Sequence, residues 1–554
     1  MPDRRQVLSM LLAAAAMPAG SLAARTPAES AGMPPDQVFL NRLTFGATAA
    51  DRTRLAKLGR TAWLDEQLAL PARDAAMSTR LANLRLRISY DAGDEGMMGG
   101  WPATDELRPL TALDADPATL LPLIEWDRPV AWPERVRPAD EVIAASLVRA
   151  VHARAQVREV MTQFWHDHFN VHAFKSEAIA VTFPLWDATL RDHALGNVRT
   201  LLGHVARSPA MLYYLDNHES RASPANENFA RELLELHTLG AENYLSATAR
   251  DWTEVPRLPD GTAAGYIDAD VYEVARAFTG WTVGDGRWLA DGVTAPRTLA
   301  FHHVDAWHDP YQKRILAHDF RDHAAPQADG DAVLDLLARH PGTARHLCRK
   351  IAQRLLADDP PTDLVDRLTD RYLATTDAPD QIAGLVRLIA TDPAFDAPPT
   401  KMRRPFEFLA ALYRATGATI AAEENGWHWQ LSRAGWLQHA FPPPTGHPDR
   451  LEDWATGGTI RRLTDYAISA HEDWFATTPD RLSALLPPQA RTIGDAAAHW
   501  TTALHGTPAD RLPELLAAAE LDPAAPLPTD PQERHDLSSA MVAFAALSPQ
   551  FMFR

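Results

Sequence analysis

A single cysteine, Cys348, stands in 554 residues. The chain can therefore close no intramolecular disulfide and can hold neither a cysteine-based zinc ribbon nor an iron–sulfur cluster. Its stability must come from a large core, which a chain of this length can build. Basic residues are also outnumbered: 54 Lys and Arg face 72 Asp and Glu, a formal net charge of -18. That field repels phosphate backbones and anionic lipid heads, so nucleic acid is not expected as a partner. Beyond the N-terminal segment no run of 18 uninterrupted apolar residues occurs, so no membrane span is expected once that segment is removed. Flavin fingerprints and haem attachment motifs are missing, which disfavours a redox role. What remains is an ordinary globular composition, 46% hydrophobic and 23% charged, together with 22 histidines as possible ligands.

Residues 1–24, MPDRRQVLSMLLAAAAMPAGSLAA, set Arg4 and Arg5 before an apolar stretch from Val7 to Met17 and small residues around Ser21, Leu22 and Ala23. The stretch is too short to cross a bilayer core of about 30 Å but suits a signal peptide. Its Arg4-Arg5-Gln6-Val7-Leu8 order resembles a twin-arginine signal, an address read by a receptor rather than an anchor. A Sec signal or an uncleaved anchor are the alternatives. The expected location is periplasmic or extracellular, reached already folded.

From Asp36 to Leu70 the apolar spacing predicts a helical pair. Between about 90 and 138 the pattern dissolves into Gly, Pro and Asp, including Gly96-Met97-Met98-Gly99-Gly100-Trp101-Pro102, and predicts a long irregular insertion. Helical spacing then returns over about Glu141 to Ala155, Val157 to Phe169, Phe183 to Asn197, Glu227 to Leu239, Asp270 to Phe278, Thr343 to Leu356, Pro405 to Arg414 and Leu537 to Leu547, with shorter stretches between, among them Leu512 to Ala518. Strand-type alternation is scarce. The expected fold is mainly α, a large multi-helix body with long Pro-rich loops and no internal repeat.

Three stretches carry chemistry. On a helix from Val157 to His172, His168 and His172 fall on the same side as Val160, Met161, Phe164 and Trp165, while His166 points away. Their spacing of four lets two imidazoles meet one ligand or a divalent metal if the helix runs through Asn170. The alternative is two buried histidines satisfied by hydrogen bonds. In Asn226 to His237, the residues Phe229, Ala230, Leu233 and Leu236 form the buried stripe, Asn226 and His237 project toward it, and Glu227 and Glu232 sit at its edges. Arg231 is four residues from both Glu227 and Glu235, the spacing of an ion-pair ladder, whereas Glu232 has no such partner and is free for acid–base work. In Trp307-His308-Asp309-Pro310 a loop presents an imidazole and a carboxylate, or an Asx-turn with a solvated histidine. Trp427-His428-Trp429 and Phe441-Pro442-Pro443-Pro444 offer aromatic and Pro-rich surface for a carbohydrate or peptide groove, or simply packing.

Taken together, these motifs resemble the bacterial family called domain of unknown function 1800. The matching pieces are Phe39-Leu40-Asn41-Arg42-Leu43-Thr44-Phe45-Gly46, Phe164 to Phe169, Asn226 to His237, Val274 to Trp281, His308-Asp309 with Lys313, His340-Pro341-Gly342-Thr343-Ala344 with Lys350, Arg404-Pro405-Phe406-Glu407 and Leu547-Ser548-Pro549-Gln550-Phe551. The resemblance covers 25–554 and implies an exported, mainly helical protein, often encoded beside a co-exported protein that is a possible partner. It brings no catalytic mechanism. Asp167 departs from the Asn common at that position, and the insertion at 90–138 is another departure.

The reading preferred here is an exported hydrolase acting on an extracytoplasmic polymer such as a glycan. Glu232, His237, His308 and Asp309 are its expected catalytic residues, and Trp165, Asn226 and Trp281 its expected substrate-binding residues. His168 and His172 are metal ligands if a divalent metal is its cofactor. The alternative is a non-catalytic export, assembly or scaffold partner. An open cleft holding the His168 and Glu232 helices favours the enzyme, and a closed, paired network favours the scaffold.

Overall fold

The computed structural model describes residues 33–554 apart from 94–98, 291, 322, 324, 422, 424–425, 473–481, 509–511, 513–515 and 518. The signal segment 1–24, the Gly96-Met97-Met98 run and most of the expected 512–518 helix lie outside the described residues. The rest is mainly α, with four two-stranded antiparallel ribbons as its sheet structure among the described residues. None of its helices is long and apolar enough to cross a membrane, again among the described residues.

The helical pair expected between Asp36 and Leu70 is three helices, Pro35–Leu43, Ala49–Leu58 and Arg60–Ala69. The first break comes at Thr48, whose side chain and Asp51 form a capping box that starts a new helix. The second comes at Gly59, with φ of 75°. The insertion is shorter and more ordered than its composition predicts. Arg85–Tyr90 pairs with Thr104–Pro109, two 3-10 turns follow, and a 21-residue helix, Trp132–His152, already begins before Pro138. Pro133 is tolerated because the N–H of a first-turn residue has no intrahelical acceptor.

Trp132–His152 packs along Glu177–His193, and Gln156–His168 lies against the latter. Gln156–His168 is buried on nearly every face, polar residues included. Such a helix must find partners for its polar groups inside the protein. One apolar cluster runs through the chain from Phe39 to Phe553, with Trp63, Trp165, Trp186, Trp281, Trp427 and Trp436 among its largest buried side chains.

Candidate functional site

The last three residues of the Gln156–His168 helix lead into three polar networks. His166 Nε2 lies 3.0 Å from Asp187 Oδ1, and Asp187 Oδ2 accepts from Arg191 at 2.6 Å and from Arg149 at 2.8 Å. Burial alone would raise the Asp187 carboxyl, but Arg191, Arg149 and His166 hold it well below the usual carboxylate range. On the other face of His166 stands the His439 ring, at 4.2 Å between centroids. His439 Nε2 meets Ser146 Oγ at 2.9 Å and Gln438 Nε2 at 3.0 Å.

Asp167 turns the other way, toward Arg404 at 2.8 Å and His447 at 3.3 Å. Arg404 continues to Glu407, which also pairs with Arg354 and Arg554. Despite its burial the Asp167 carboxyl is held below its ordinary range by Arg404 and His447.

His168 donates from Nε2 to the His237 carbonyl at 3.2 Å, which leaves its buried Nδ1 as a bare acceptor without a partner among the described residues. The His237 ring lies 6.3 Å away and the His346 ring 6.2 Å. Neither His237 nitrogen has a partner among the described residues, whereas His346 is held by Glu242 at 3.1 Å and the Leu236 carbonyl at 3.3 Å. Burial pushes the His168 imidazole well below its usual value, with Lys350, His346 and His237 adding to the effect. His237 is pushed down to about 3 by burial first and then by Lys350 and His346. Both rings are neutral around pH 7.

His172 does not join them. Phe169 leaves the helical region, with φ of -104° and ψ of 45°, so the spacing of four no longer puts His168 and His172 on one face. The cause is tertiary: Asn170 donates to the Phe441 and Pro443 carbonyls, and Ala173 N donates to the His439 carbonyl. His172 Nδ1 instead accepts from Phe174 N in a local turn at 3.0 Å. Among the described residues no group of three or more His, Cys, Asp or Glu side chains is placed to hold a metal ion, so the expected His168–His172 metal pair has no geometry here.

The Glu227 helix changes form midway. Glu227–Glu232 is α-helical, and Leu233–His237 is a π-helical turn, a form frequent at functional sites. Thr238 locks it by donating to the Leu233 carbonyl five residues back. The ion-pair ladder is half present, because Arg231 contacts Glu227 at 3.5 Å and Asp268 at 3.6 Å but not Glu235. Glu232 and Glu235, both partly exposed, form no hydrogen bond or ion pair among the described residues. Burial, and then the charge of Glu235, raise the Glu232 carboxyl above its ordinary value.

Of the remaining expected residues, Trp165 packs edge-on against the His168 ring at 5.6 Å between centroids, and the others enter different contacts. His308 and Asp309 form a separate cluster: Asp309 is gripped by Arg276 at 2.7 and 3.1 Å and closes an Asx-turn to Tyr311 N. His308 meets the Thr279 carbonyl and Asp329. Trp165 is fully buried and donates to the Ala194 carbonyl. Trp281 is fully buried beneath the Arg207 guanidinium, 4.5 Å from the ring centroid. Asn226 caps its helix through Asn228 N and donates to the Asp216 carbonyl. Trp165 and Trp281 serve packing and present no open face, while Asn226 serves capping and is partly exposed. Trp427 is core, while Trp429 is exposed under Arg433.

The contacts of His166 with Asp187 and His439, the Arg404–Glu407 network and the place of His346 were not read from the sequence. The available signal was the spacing of polar residues on every face of a helix that must be buried.

The fold and networks define a mainly α protein whose polar interior is organised around one buried helix end. The chain belongs to the family described as protein of unknown function (DUF1800), whose model matches residues 38–553. No curated protein and no solved structure matches it.

Proposed function

We propose that the protein is an exported hydrolase acting on an extracytoplasmic polymer such as a glycan, with Glu232 as its general acid. The carrying observation is the Glu232 carboxyl: half-buried, unpartnered, raised by burial and by Glu235, and set where an α-helix gives way to a π-helical turn. A carboxylic acid whose proton is held more tightly than usual can deliver it to a leaving oxygen, while a second carboxylate, Glu235, takes the proton of the attacking water. Export and the glycan class rest on the twin-arginine-like signal and on the fit of two-carboxylate chemistry to glycosidic bonds. Neutral His168 and His237 do not supply an acid.

The test is a panel of glycan and ester polymers with wild type and Glu232→Gln. The expected result is hydrolysis by wild type and a loss of about 10²-fold or more in the folded variant. Equal rates for both proteins overturn the assignment of Glu232.

A second reading, an assembly partner of a co-exported protein, is favoured by the closure of His168, His237 and Trp165 to solvent. Under that reading the motif residues fix helix packing, and the co-exported protein binds at a surface that Glu232→Gln leaves intact.

A further inference from the structure

Of the 54 basic residues only five are lysine: Lys57, Lys175, Lys313, Lys350 and Lys401. A guanidinium keeps its proton in a protein, whereas an amine can lose it, so an inward-facing lysine in so arginine-rich a chain has a chemical property its neighbours lack. Lys57 is exposed. Lys175 donates to the Tyr214 carbonyl at 2.7 Å. Lys313 is held by the Asp309 and Tyr311 carbonyls and by Asp329, and Lys401 by Asp358 and Asp449.

Lys350 is different. Half-buried on the Pro341–Leu355 helix, it forms no hydrogen bond or ion pair among the described residues. The charged groups that act on it are Asp167 at the end of Gln156–His168, Asp449 and Glu242, and all three carboxylates are already engaged, with Arg404, Lys401 and His346 respectively. Lys350 in turn acts on His168 and His237, the imidazoles that hold three buried nitrogens without partners. His346, four residues before Lys350 on the same helix and so on the same face, sets its ring 6.2 Å from that of His168, which lies 6.3 Å from that of His237; the amine, unpartnered among the described residues, thus stands one helical turn from the two unfilled imidazoles.

We propose that Lys350 is a nucleophilic amine that takes a small aldehyde or ketone as a Schiff base. The nitrogen lone pair attacks the carbonyl carbon to form the C–N bond, the two amine protons pass to the carbonyl oxygen, and that oxygen leaves as water, giving the C=N bond without oxidant or reductant. His237, neutral and with both nitrogens unpartnered among the described residues, can relay a proton from nitrogen to oxygen, accepting at one ring nitrogen while donating from the other. Burial supports this chemistry by pushing the amine down to about 8, so that about a tenth of it is free base at pH 7. This covalent chemistry does not depend on the hydrolytic role of Glu232.

The test treats the full chain with glycolaldehyde and cyanoborohydride, which reduces an imine to a stable secondary amine, and maps the five lysines by peptide mass from pH 6 to 10. Lys350 is expected to label about tenfold faster than Lys57 at pH 7, with a rate midpoint near 8. Folded His237→Phe is expected to slow Lys350 several-fold and leave Lys57 unchanged. Labelling of Lys350 no faster than Lys57, a midpoint near that of an ordinary lysine, or a fast phase that survives in folded Lys350→Arg each overturns the proposal. Glu232→Gln is expected to label like wild type, so failure of the hydrolytic reading and failure of this one are told apart.

Discussion

Arg404, the residue that caps Pro405–Thr416, reaches Asp167 of the Gln156–His168 helix at 2.8 Å. The two residues are 237 positions apart. Arg404 also lies over the Trp436 ring, 4.8 Å from its centroid, and pairs with Glu407. One guanidinium therefore ties together two helices and the segment that leads to His447.

Removing one partner of such a buried pair strands the other charge. Asp167→Ala is expected to lower stability by about 3–5 kcal/mol. Asp167→Asn keeps a hydrogen-bond acceptor for Arg404, which retains Glu407 as its counter-charge, and is expected to cost less, about 1–2 kcal/mol. Urea unfolding of both variants checks the order, and an equal loss in the two would show that the charge of Asp167 carries the contact rather than its shape.

The neutral imidazole of His237 makes the fold sensitive to acid. Its folded value of about 3 lies below its unfolded value, so below about pH 6.5 the unfolded chain binds the extra proton and stability falls by up to about 1.4 kcal/mol per pH unit. His237→Phe removes that dependence. The variant is expected to lose less stability than wild type between pH 7 and pH 5, by about 2 kcal/mol. Parallel unfolding curves at the two pH values would contradict the burial of a neutral ring.

Asp140 titrates in the opposite sense. Burial raises its carboxyl to about 7, Arg137 opposing and Glu141 adding to the shift. An acid with a raised folded value holds its proton more tightly when folded, so its contribution is present below about pH 4 and is lost as pH climbs toward 7. Asp140→Asn is expected to gain about 1–2 kcal/mol at pH 8 and little at pH 4, a figure reduced to allow for its partial exposure. Denaturant titrations at the two pH values measure both arms.

The periodicity of apolar residues made the helices legible, because each buries a stripe and the stripe is written in the sequence. Gln156–His168 begins one residue before its expected start and ends one before its expected end. Trp132–His152 was legible only in its second half, since prolines near a helix start read as loop. At the site, the inward projection of His168 and of His237 was legible, each from its own helix face, but not that the two would meet. The loss of His172 did not, because the helix is ended by hydrogen bonds from Asn170 to carbonyls 271 and 273 positions away. Contacts of that range leave no local trace. Asp309 shows the same limit: the sequence offers an Asx-turn and a catalytic carboxylate equally, and the partner that engages the carboxylate, Arg276, lies 33 positions away on the helix Asp268–Ala277.

Gly446 is the position where backbone freedom and close approach coincide. Its φ is +70°, a region that disfavours side chains, and a Cβ placed on it would stand 1.9 Å from the Asp167 carbonyl oxygen and 2.7 Å from its carbon. Both atoms belong to a buried helix that cannot move aside, so the loop must shift instead. Left-handed backbone alone costs an alanine roughly 1–2 kcal/mol. The displacement would also pull His447 from Asp167, now 3.3 Å away, and from the Trp436 ring, on which it stacks at 4.0 Å. Gly446→Ala is therefore expected to cost about 3 kcal/mol or more in urea unfolding and to change the near-UV signal of Trp436. Gly417→Ala, also at positive φ but with nothing within 4 Å of its Cβ, should show only the backbone part of that cost. If the two variants lose the same stability, the close packing of this loop on Asp167 is not what requires the glycine.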